Sequence, residues 1–244
     1  IRRSSYSMVK LMTLNLWGYE QWDARKSAIL SLISKQSPDI IALQEVQLDA
    51  AKSPISQAAY LAEAGGFQHV VYAPSLRTAR HPRGRSLTQG YSHGLALLSK
   101  YPILSSESYL LSQGVDFQEP CSVLFATVDE NGEKTELCNV HFGNTDNESS
   151  EHLKELLEIC AARNSRPIIL GDFNIFGLGS NGRDDLLDNY ILSANQLDDI
   201  SIPKNNDTLD YIAVPEEYSF ASVSCPDDRV SDHRAVIADI EERK

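Results

Sequence analysis

Carboxylate and amide side chains recur in this sequence at the ends of apolar segments that are typical of buried strands. Open sheets place ligand sites where strand ends face one side. A single residue of this kind is more often a turn or cap residue, but turns do not explain the whole set. The sequence therefore predicts a site built from strand ends. Its members are Asn15, Glu45, Asp172, Asn174 and the pair Asp232-His233.

Glu45 gives the sharpest indication of the chemistry. It follows the apolar run Ile40-Ile41-Ala42-Leu43, where a charge is costly unless it is paired or binds a metal. A hard divalent cation takes oxygen ligands and is typically held by one or two carboxylates plus substrate phosphate. The sequence has no Cys/His pattern at zinc spacing. We expect Mg²⁺, with Mn²⁺ as the alternative, at Glu45, Asp232 and Asn15.

Two of the six histidines lie among these carboxylates in the sequence. His233 directly follows Asp232, and Asp210 can orient the His233 ring by accepting one of its N–H groups. His141 ends another apolar run. An Asp-oriented histidine beside a metal-binding carboxylate suits phosphoryl chemistry. The remaining histidines are interpreted as structural hydrogen-bonding residues; they are His69, His81, His93 and His152.

Strands and helices alternate in both halves of the chain. Residues 8–17 are predicted as a strand buried on both faces, followed by a helix that Asp23 caps and that runs to about Lys35. A meander follows, with Asn131-Gly132 as a hairpin turn. The pattern suggests two packed sheets flanked by helices. Further strands are predicted at 39–45, 67–72, 93–99, 102–111, 121–129, 135–142, 167–170, 208–214, 218–224 and 234–240, and further helices at 54–64, 150–163 and 183–192.

Composition and charge are those of an ordinary globular protein. The 244 residues include 22 Lys+Arg and 34 Asp+Glu, a net charge of −12, and no apolar stretch is long enough to span a membrane. This acidity argues against holding nucleic acid by charge alone, but not against binding phosphate through a metal. One predicted loop is basic, and a phosphate-backbone contact and a solvated surface loop are equal alternatives for it. It carries Arg77, Arg80, Arg83 and Arg85.

No linker, composition break or internal repeat divides the chain. Residues 8–244 are therefore predicted to form one catalytic domain, and residues 1–7 a flexible leader or a trimming remnant. The four cysteines are widely spaced and are predicted to be free thiols, three of them within apolar runs. We expect a monomer without stable membrane insertion, and a cytoplasmic location is favoured over secretion.

The motifs resemble those of the endonuclease/exonuclease/phosphatase superfamily, in the order in which that family carries them. The resemblance extends from Thr13 to His233. It implies a four-layer α/β sandwich of two packed, mostly antiparallel sheets flanked by helices, and a hydrolase of phosphoesters. Seven short motifs carry it: Thr13-Leu14-Asn15, Leu43-Gln44-Glu45-Val46, Gly94-Leu95-Ala96-Leu97-Leu98-Ser99-Lys100-Tyr101-Pro102-Ile103, Asn139-Val140-His141-Phe142, Gly171-Asp172-Phe173-Asn174, Leu209-Asp210-Tyr211-Ile212 and Ser231-Asp232-His233.

The resemblance also implies which residues hold the metal and activate water. Glu45, with Asn15 and Asp232 nearby, would hold Mg²⁺ or Mn²⁺. Asp172 would orient or deprotonate the attacking water, and Asn174 would donate to a phosphate oxygen. An in-line displacement needs a positioned base of this kind and a cation where charge develops.

Two histidines complete the roles that the resemblance implies. His233, held by Asp210, would stabilise the pentacoordinate transition state. His141 would bind phosphate or protonate the leaving oxygen. Donors aimed at the equatorial oxygens are the remaining requirement of an in-line displacement.

The branch of the superfamily is not settled by the motifs. Pancreatic-type deoxyribonucleases carry arginines where this sequence has Gln47 and Gln118, and abasic-site endonucleases carry a tyrosine in place of His141. Tyrosyl-DNA phosphodiesterases share that histidine but have tryptophan in place of Leu14. Sphingomyelinase-like members share the Leu-Asp-Tyr motif, but the sequence has no aromatic hairpin to dock on a membrane.

Three hypotheses for the function follow. The favoured one is a metal-dependent nuclease or DNA-end phosphodiesterase whose arginine loop follows the backbone. The second is a phosphodiesterase or phosphatase of small molecules or lipid headgroups, which the acidic charge and the two missing arginines support. The third is an inactive binding module, which predicts lesions in the site motifs, and the motifs contain none.

Overall fold

The computed structural model describes residues 8–80, 86–112, 120–178, 187–196 and 208–243, with the side chains of 76–80 and 86–90 outside the description. These residues form two six-stranded sheets. The first contains β1 (Met8–Asn15), β2 (Ile40–Asp49), β3 (His69–Arg80), β4 (Ser86–Ser99), β11 (Tyr218–Ser224) and β12 (Val236–Glu242). The second contains β5 (Ile103–Leu110), β6 (Ser122–Glu130), β7 (Glu133–His141), β8 (Ile168–Asp172), β9 (Tyr190–Leu192) and β10 (Asp210–Pro215). The helices are α1 (Trp22–Gln36), α2 (Gln57–Gly65) and α3 (Asp146–Arg163), with a 3₁₀ turn at Ser193–Gln196.

Both sheets are arranged in the same way. The strand orders are β11-β12-β1-β2-β4-β3 and β5-β6-β7-β8-β10-β9, and each sheet has one parallel pair at its centre, β1 with β2 and β7 with β8. A parallel pair needs a crossover, which α1 and α3 supply. All other neighbours are antiparallel.

Three apolar clusters hold the layers together. The first lies between the two sheets and includes Leu11 and Leu170. The second packs α1 and α2 on the outer face of the first sheet, with Ile29 at its centre, and the third packs α3 through Leu156 on the second sheet. The predicted four-layer sandwich of two mostly antiparallel sheets is confirmed, and β1 is buried on both faces as expected.

Helix α1 begins differently from the prediction. Its N-cap is Gln21, which adopts a left-handed conformation without a side-chain capping bond, and Asp23 lies inside the first turn. The chain enters the helix through a tight turn in which the Trp22 N–H donates to the Tyr19 carbonyl at 3.2 Å. The prediction that Asp23 caps this helix is therefore wrong. The end is close to the expectation, because Ser37 turns left-handed and Pro38 follows.

Strand β2 does not end at Glu45 as predicted. It continues to Asp49 through a bulge between Leu43 and Val46, and Glu45 within the bulge has a φ of 51°. A bulge interrupts the ladder and redirects a side chain, so the Glu45 carboxylate lies at a bend rather than at a terminus.

The predicted helix over residues 183–192 is wrong in the part that the structure describes. Tyr190–Leu192 form β9, which pairs with β10 at the edge of the second sheet. Residues 183–186 lie outside the described residues. A short apolar run does not distinguish a strand from a helix, and here pairing with a distant strand decides.

Two further expectations concern the cysteines and the membrane. None of the four cysteines forms a disulfide, as predicted, and Cys138, Cys160 and Cys225 are buried. Among the described residues, no helix is long and apolar enough to cross a membrane.

Candidate active site

The candidate site lies where the two sheets end side by side. Asn15 is the last residue of β1, Asp172 the last of β8 and His141 the last of β7, and Asp210 is the first of β10. In the second sheet, Asp172 pairs in register with His141 on one side and with Asp210 on the other. The fold thus brings the predicted residues of both halves of the chain to one place.

Asn15 connects the two sheets at this place. Its Nδ2 donates to Glu45 Oε1 at 3.1 Å and to Asp172 Oδ2 at 3.0 Å. Its Oδ1 accepts from the Trp17 backbone N–H at 3.0 Å. The buried amide therefore turns its nitrogen, rather than its oxygen, toward the carboxylates. The expected role of Asn15 beside a metal stays a prediction.

Asp172 is the centre of the arrangement. Its Oδ2 lies 3.6 Å from His141 Nε2 and 3.8 Å from His233 Nε2, and its Oδ1 accepts from the Asn174 N–H at 3.0 Å. Burial raises the pKa of this carboxyl, as does the charge of Asp210, and together they outweigh the two histidines. A carboxylate with a raised pKa is a better proton acceptor near neutral pH.

Gly171 allows β8 to reach this position. Its φ is 146°, and a Cβ there would lie 2.1 Å from the Val140 carbonyl oxygen of β7. Only glycine combines that backbone conformation with so close an approach. The residue directly before Asp172 therefore fixes how that carboxylate is presented.

His233 and Asp210 form the predicted pair. His233 Nδ1 lies 2.8 Å from Asp210 Oδ2, and both side chains are buried. Burial lowers the pKa of His233, but the charges of Asp210 and Asp172 and the hydrogen bond to Asp210 raise it to about 10. These charges favour the imidazolium form of the ring, and its Nε2 lies on the Asp172 side.

Asp172, Asp210 and His233 also lie close enough together to hold a metal ion. One ligand atom from each lies within 4.8 Å of the others. However, an imidazolium has hydrogens on both nitrogens and no lone pair for a metal. We interpret these three residues as groups that accept or donate protons. The metal is expected beside them, at Glu45 and Asp232.

Glu45 and Asp232 have the donor chemistry that a hard divalent cation requires. Burial raises the pKa of Glu45, but the charges of His141 and His93 and the hydrogen bond from Asn15 bring it below its usual value. Burial raises the pKa of Asp232, and the negative charge of Glu45 adds to this. Two carboxylates that repel each other across a partly buried space fit a divalent cation.

Comparison with known proteins identifies the family. A family model described as the endonuclease/exonuclease/phosphatase family matches residues 12–233. The chain belongs to this family. Its members are hydrolases that act on phosphoesters, and they generally use a divalent metal. None of the curated proteins matches the sequence significantly.

Solved structures of this family share the fold. An endonuclease/exonuclease/phosphatase from Beutenbergia cavernae is 21% identical with a TM-score of 0.78, over 97% of this chain and 72% of that chain. The human nocturnin catalytic domain with bound sulfate is 19% identical with a TM-score of 0.73, over 96% and 94%. A mannosyl-6-phosphatase from Bacteroides thetaiotaomicron is 16% identical with a TM-score of 0.68, over 95% and 99%. At these identities, the likeness shows the fold alone.

A buried polar layer beneath the site was not recognised as such in the sequence. Gln44 Nε2 donates to Asn139 Oδ1 at 2.7 Å and to Thr13 Oγ1 at 3.0 Å. Asn139 Nδ2 donates to the Leu43 and Ala96 carbonyls, each at 2.9 Å. All five residues belong to family motifs, but only the packed sheets show that they join across the interface.

His93 is a second residue that sequence reasoning underrated. It was interpreted as structural, yet its charge contributes to lowering the pKa of Glu45, and its side chain is buried on β4 opposite Gln47. The available signal was its position directly before Gly94, where another family motif begins.

Arg25 holds two loops of the site together. Its Nε donates to the Glu20 carbonyl at 2.8 Å, in the loop after Asn15. Its Nη1 donates to the Val230 carbonyl at 2.8 Å, in the loop that carries Asp232. Nothing in the sequence singles out this residue, because its partners are backbone atoms.

The predicted arginine loop is wrong in the part that the structure describes. Residues 77–80 continue β3, so Arg77 and Arg80 lie on a strand at the edge of the first sheet. Arg83 and Arg85 lie outside the described residues. A contact of these four arginines with substrate stays a prediction.

Proposed function

We propose that this chain is a divalent-metal-dependent phosphodiesterase that hydrolyses nucleic acid by in-line attack of water. The observation that carries the proposal is the environment of Asp172. Both its oxygens accept hydrogen bonds, at 3.0 Å from Asn15 and from Asn174, and His233 lies 3.8 Å away. These two bonds hold the carboxylate in one orientation, and its remaining lone pairs can accept a proton from a water.

The metal would be held by Glu45 and Asp232, with Asn15 nearby. The bound cation would neutralise charge on a phosphate oxygen and so favour attack at phosphorus. The chain itself contributes the orientation: Asn15 fixes Glu45 relative to Asp172, and Arg25 fixes the loop that carries Asp232.

The remaining roles follow from donors and charges. His233, oriented by Asp210, presents a cationic N–H where negative charge grows on the phosphate oxygens. Asn174 donates its Nδ2 to the Phe142 carbonyl at 2.9 Å, and we propose that it also donates to phosphate when substrate is bound. His141 would bind phosphate or protonate the leaving oxygen.

Nucleic acid is proposed as the substrate because the family acts on phosphodiesters, some of them nucleic acid. Arg77 and Arg80 lie on an edge strand of the sheet that carries Glu45, where a strand of substrate could pass. The alternative is a small-molecule or lipid-headgroup phosphodiesterase or phosphatase. Gln47 favours it, since this residue accepts from the Tyr19 N–H at 3.1 Å and is not an arginine that binds phosphate.

A turnover panel tests the proposal. Single- and double-stranded DNA, RNA, a 5′-tyrosyl oligonucleotide, bis-p-nitrophenyl phosphate and phosphomonoesters are each offered with Mg²⁺, Mn²⁺ or EDTA. We expect metal-dependent cleavage of polynucleotide that Asp172→Asn abolishes with the fold intact. Asp239→Asn, which changes a carboxylate in the middle of β12, is the matched control and should keep activity.

Two outcomes would change this assignment. Full activity of Asp172→Asn would remove Asp172 from the mechanism. Hydrolysis of small esters without cleavage of polynucleotide would establish the alternative function.

A further inference from the structure

A cavity of about 810 Å³ lies beside the candidate site, between the first turns of α1 and α2. This volume is in the range of small-ligand sites. None of the seven motifs assigns a role to the residues around it. Six of these residues determine which ligands the cavity can bind. They are three aromatic residues, two lysines and a glutamine: Tyr19, Trp22, Tyr60, Lys26, Lys52 and Gln57.

The cavity opens at the same edge of the sheet as the catalytic residues. Helix α1 follows β1 and α2 follows β2, so both helices begin at the carboxyl edge of that parallel pair, where Asn15 and Glu45 lie. The wall of the cavity is also hydrogen-bonded to β2, the strand that carries Glu45. The Tyr19 N–H donates to Gln47 Oε1 at 3.1 Å, and the Gln47 N–H donates to Gln57 Oε1 at 2.9 Å, two residues after Glu45.

The aromatic walls suit a planar ring. Trp22 meets Tyr19 edge to face with centroids 6.3 Å apart, and Tyr60 in the same way at 5.8 Å. Such rings contact a further aromatic ring by stacking or by edge contacts. Trp22 and Tyr60 are half-buried, so part of each remains accessible from the cavity.

One of the two lysines is available for an anion. Lys26 pairs with Asp23 at 2.6 Å. The Lys52 ammonium lies 4.7 Å from the centre of the Tyr19 ring, and no carboxylate among the described residues forms an ion pair with it. In a protein of net charge −12, a cation of this kind beside an aromatic cavity is an unusual local feature.

We propose that this cavity is a nucleotide subsite. It holds the base of the nucleotide next to the scissile bond against Tyr19, Trp22 and Tyr60, and a phosphate of that nucleotide at Lys52. The inference rests on the proposed phosphodiesterase function and adds to it the part of the substrate that is recognised. A nucleotide within a strand and a free mononucleotide offer the same chemistry.

Tryptophan fluorescence tests this binding without turnover. The sequence contains two tryptophans; Trp22 lines the cavity and Trp17 precedes Tyr19 by two residues, so a change of Trp22 emission on binding reports on the cavity. Thymidine 5′-monophosphate is titrated into the protein in EDTA. We expect saturable quenching, and a dissociation constant raised roughly tenfold in Lys52→Ala and in Tyr60→Ala, as for loss of one base or phosphate contact.

Controls separate the parts of the ligand. Lys154→Ala, a change of an exposed lysine on α3, should bind like the wild type. Thymidine should bind more weakly than the nucleotide and equally to wild type and Lys52→Ala. Lys52 is exposed, so its removal should leave the fold intact. Unchanged quenching in both cavity variants, or inorganic phosphate binding as tightly as thymidylate, would overturn the subsite.

A kinetic comparison links the cavity to the reaction. Tyr60→Ala should lower kcat/KM for oligothymidylate roughly tenfold and leave that for an oligonucleotide of abasic residues, which has no base to place in the cavity, within about twofold. An equal loss on both substrates would assign Tyr60 a structural role and contradict the subsite. If an oligonucleotide competes for the cavity more tightly than thymidylate does, the ligand of the cavity is a nucleotide within a strand rather than a free mononucleotide. If the wild type hydrolyses neither, the proposed function fails while the fluorescence titration still decides the subsite.

Discussion

The chemistry of individual residues depends on which atoms of each side chain are already used. Asn15 uses its oxygen on the Trp17 N–H and its nitrogen on two carboxylates, so it orders charges rather than neutralising them. His152 shows the opposite case. It accepts from the Gly143 N–H at 3.0 Å, and its other ring nitrogen lies 2.8 Å from the Ser112 carbonyl oxygen, so both nitrogens serve the fold, as predicted for it.

His233 gives the sharpest prediction for a single residue. His233→Gln keeps a donor near Asp210 but removes the cationic N–H that faces the reacting phosphate. We expect kcat to fall about 10²- to 10³-fold, the usual effect of losing one preorganised charge-stabilising donor. Steady-state kinetics measures it, with His69→Gln, at the start of β3, as the control that keeps activity. Wild-type kcat in His233→Gln would exclude a catalytic role.

At the scale of elements, the buried polar layer of Thr13, Gln44 and Asn139 sets how the sheets meet below the site. All three side chains are fully buried, and Gln44 belongs to the first sheet while Asn139 belongs to the second. A satisfied network of this kind rigidifies the interface, because any sliding of the sheets leaves a buried polar group without a partner.

The same layer predicts a loss of stability. Asn139→Ala removes three buried hydrogen bonds, the one from Gln44 and those to the Leu43 and Ala96 carbonyls, while Gln44 keeps its bond to Thr13. We expect the free energy of unfolding to drop by about 2 to 4 kcal/mol, since each buried unsatisfied group costs about 1 to 3 kcal/mol. Urea unfolding with an unchanged slope would measure it. Asn147→Ala, at an exposed position in the first turn of α3, is a control outside the layer, and an equal drop in both would contradict this role of the layer.

Local signals predicted most of the elements and pairing decided the others. The Asn131-Gly132 hairpin is confirmed, with left-handed φ values of 56° and 100°, because two residues suffice to define such a turn. β9 and the outer part of β3 were missed, because only a partner strand far along the chain makes them strands. The bulge at Glu45 was missed for the same reason.

The candidate site shows the same division. Carboxylates at strand ends were recognisable, because several of them recur after apolar runs and turns do not explain the whole set. Two contacts were not recognisable, because they form only when the sheets pack. They are the hydrogen bond of Asn15 to Asp172, 157 residues apart in the chain, and the hydrogen bonds of Arg25 to two loops.

The whole molecule consists of two similar sheets whose central parallel pairs end at the same place. β1 and β2 supply Asn15 and carry the bulge with Glu45, while β7 and β8 supply His141 and Asp172. Each half contributes part of the site, so the site exists only when the sheets are packed. Loss of global stability should therefore remove activity, whichever layer is affected.

Global stability should depend on pH through Glu130, at the turn end of the hairpin of β6 and β7, opposite the end that carries His141. Burial, with the charges of Asp39 and Glu133, raises its pKa to about 7, from 4.5. The folded state therefore keeps a proton that the unfolded state releases as pH rises from 4.5 to 7, and stability falls over that window. Glu130→Gln should match the wild type below pH 4.5 and exceed it above pH 7, by up to about 3 kcal/mol. Thermal unfolding across this range tests it, with the exposed Glu151→Gln as control. Parallel curves for wild type and Glu130→Gln would show that Glu130 does not set this dependence.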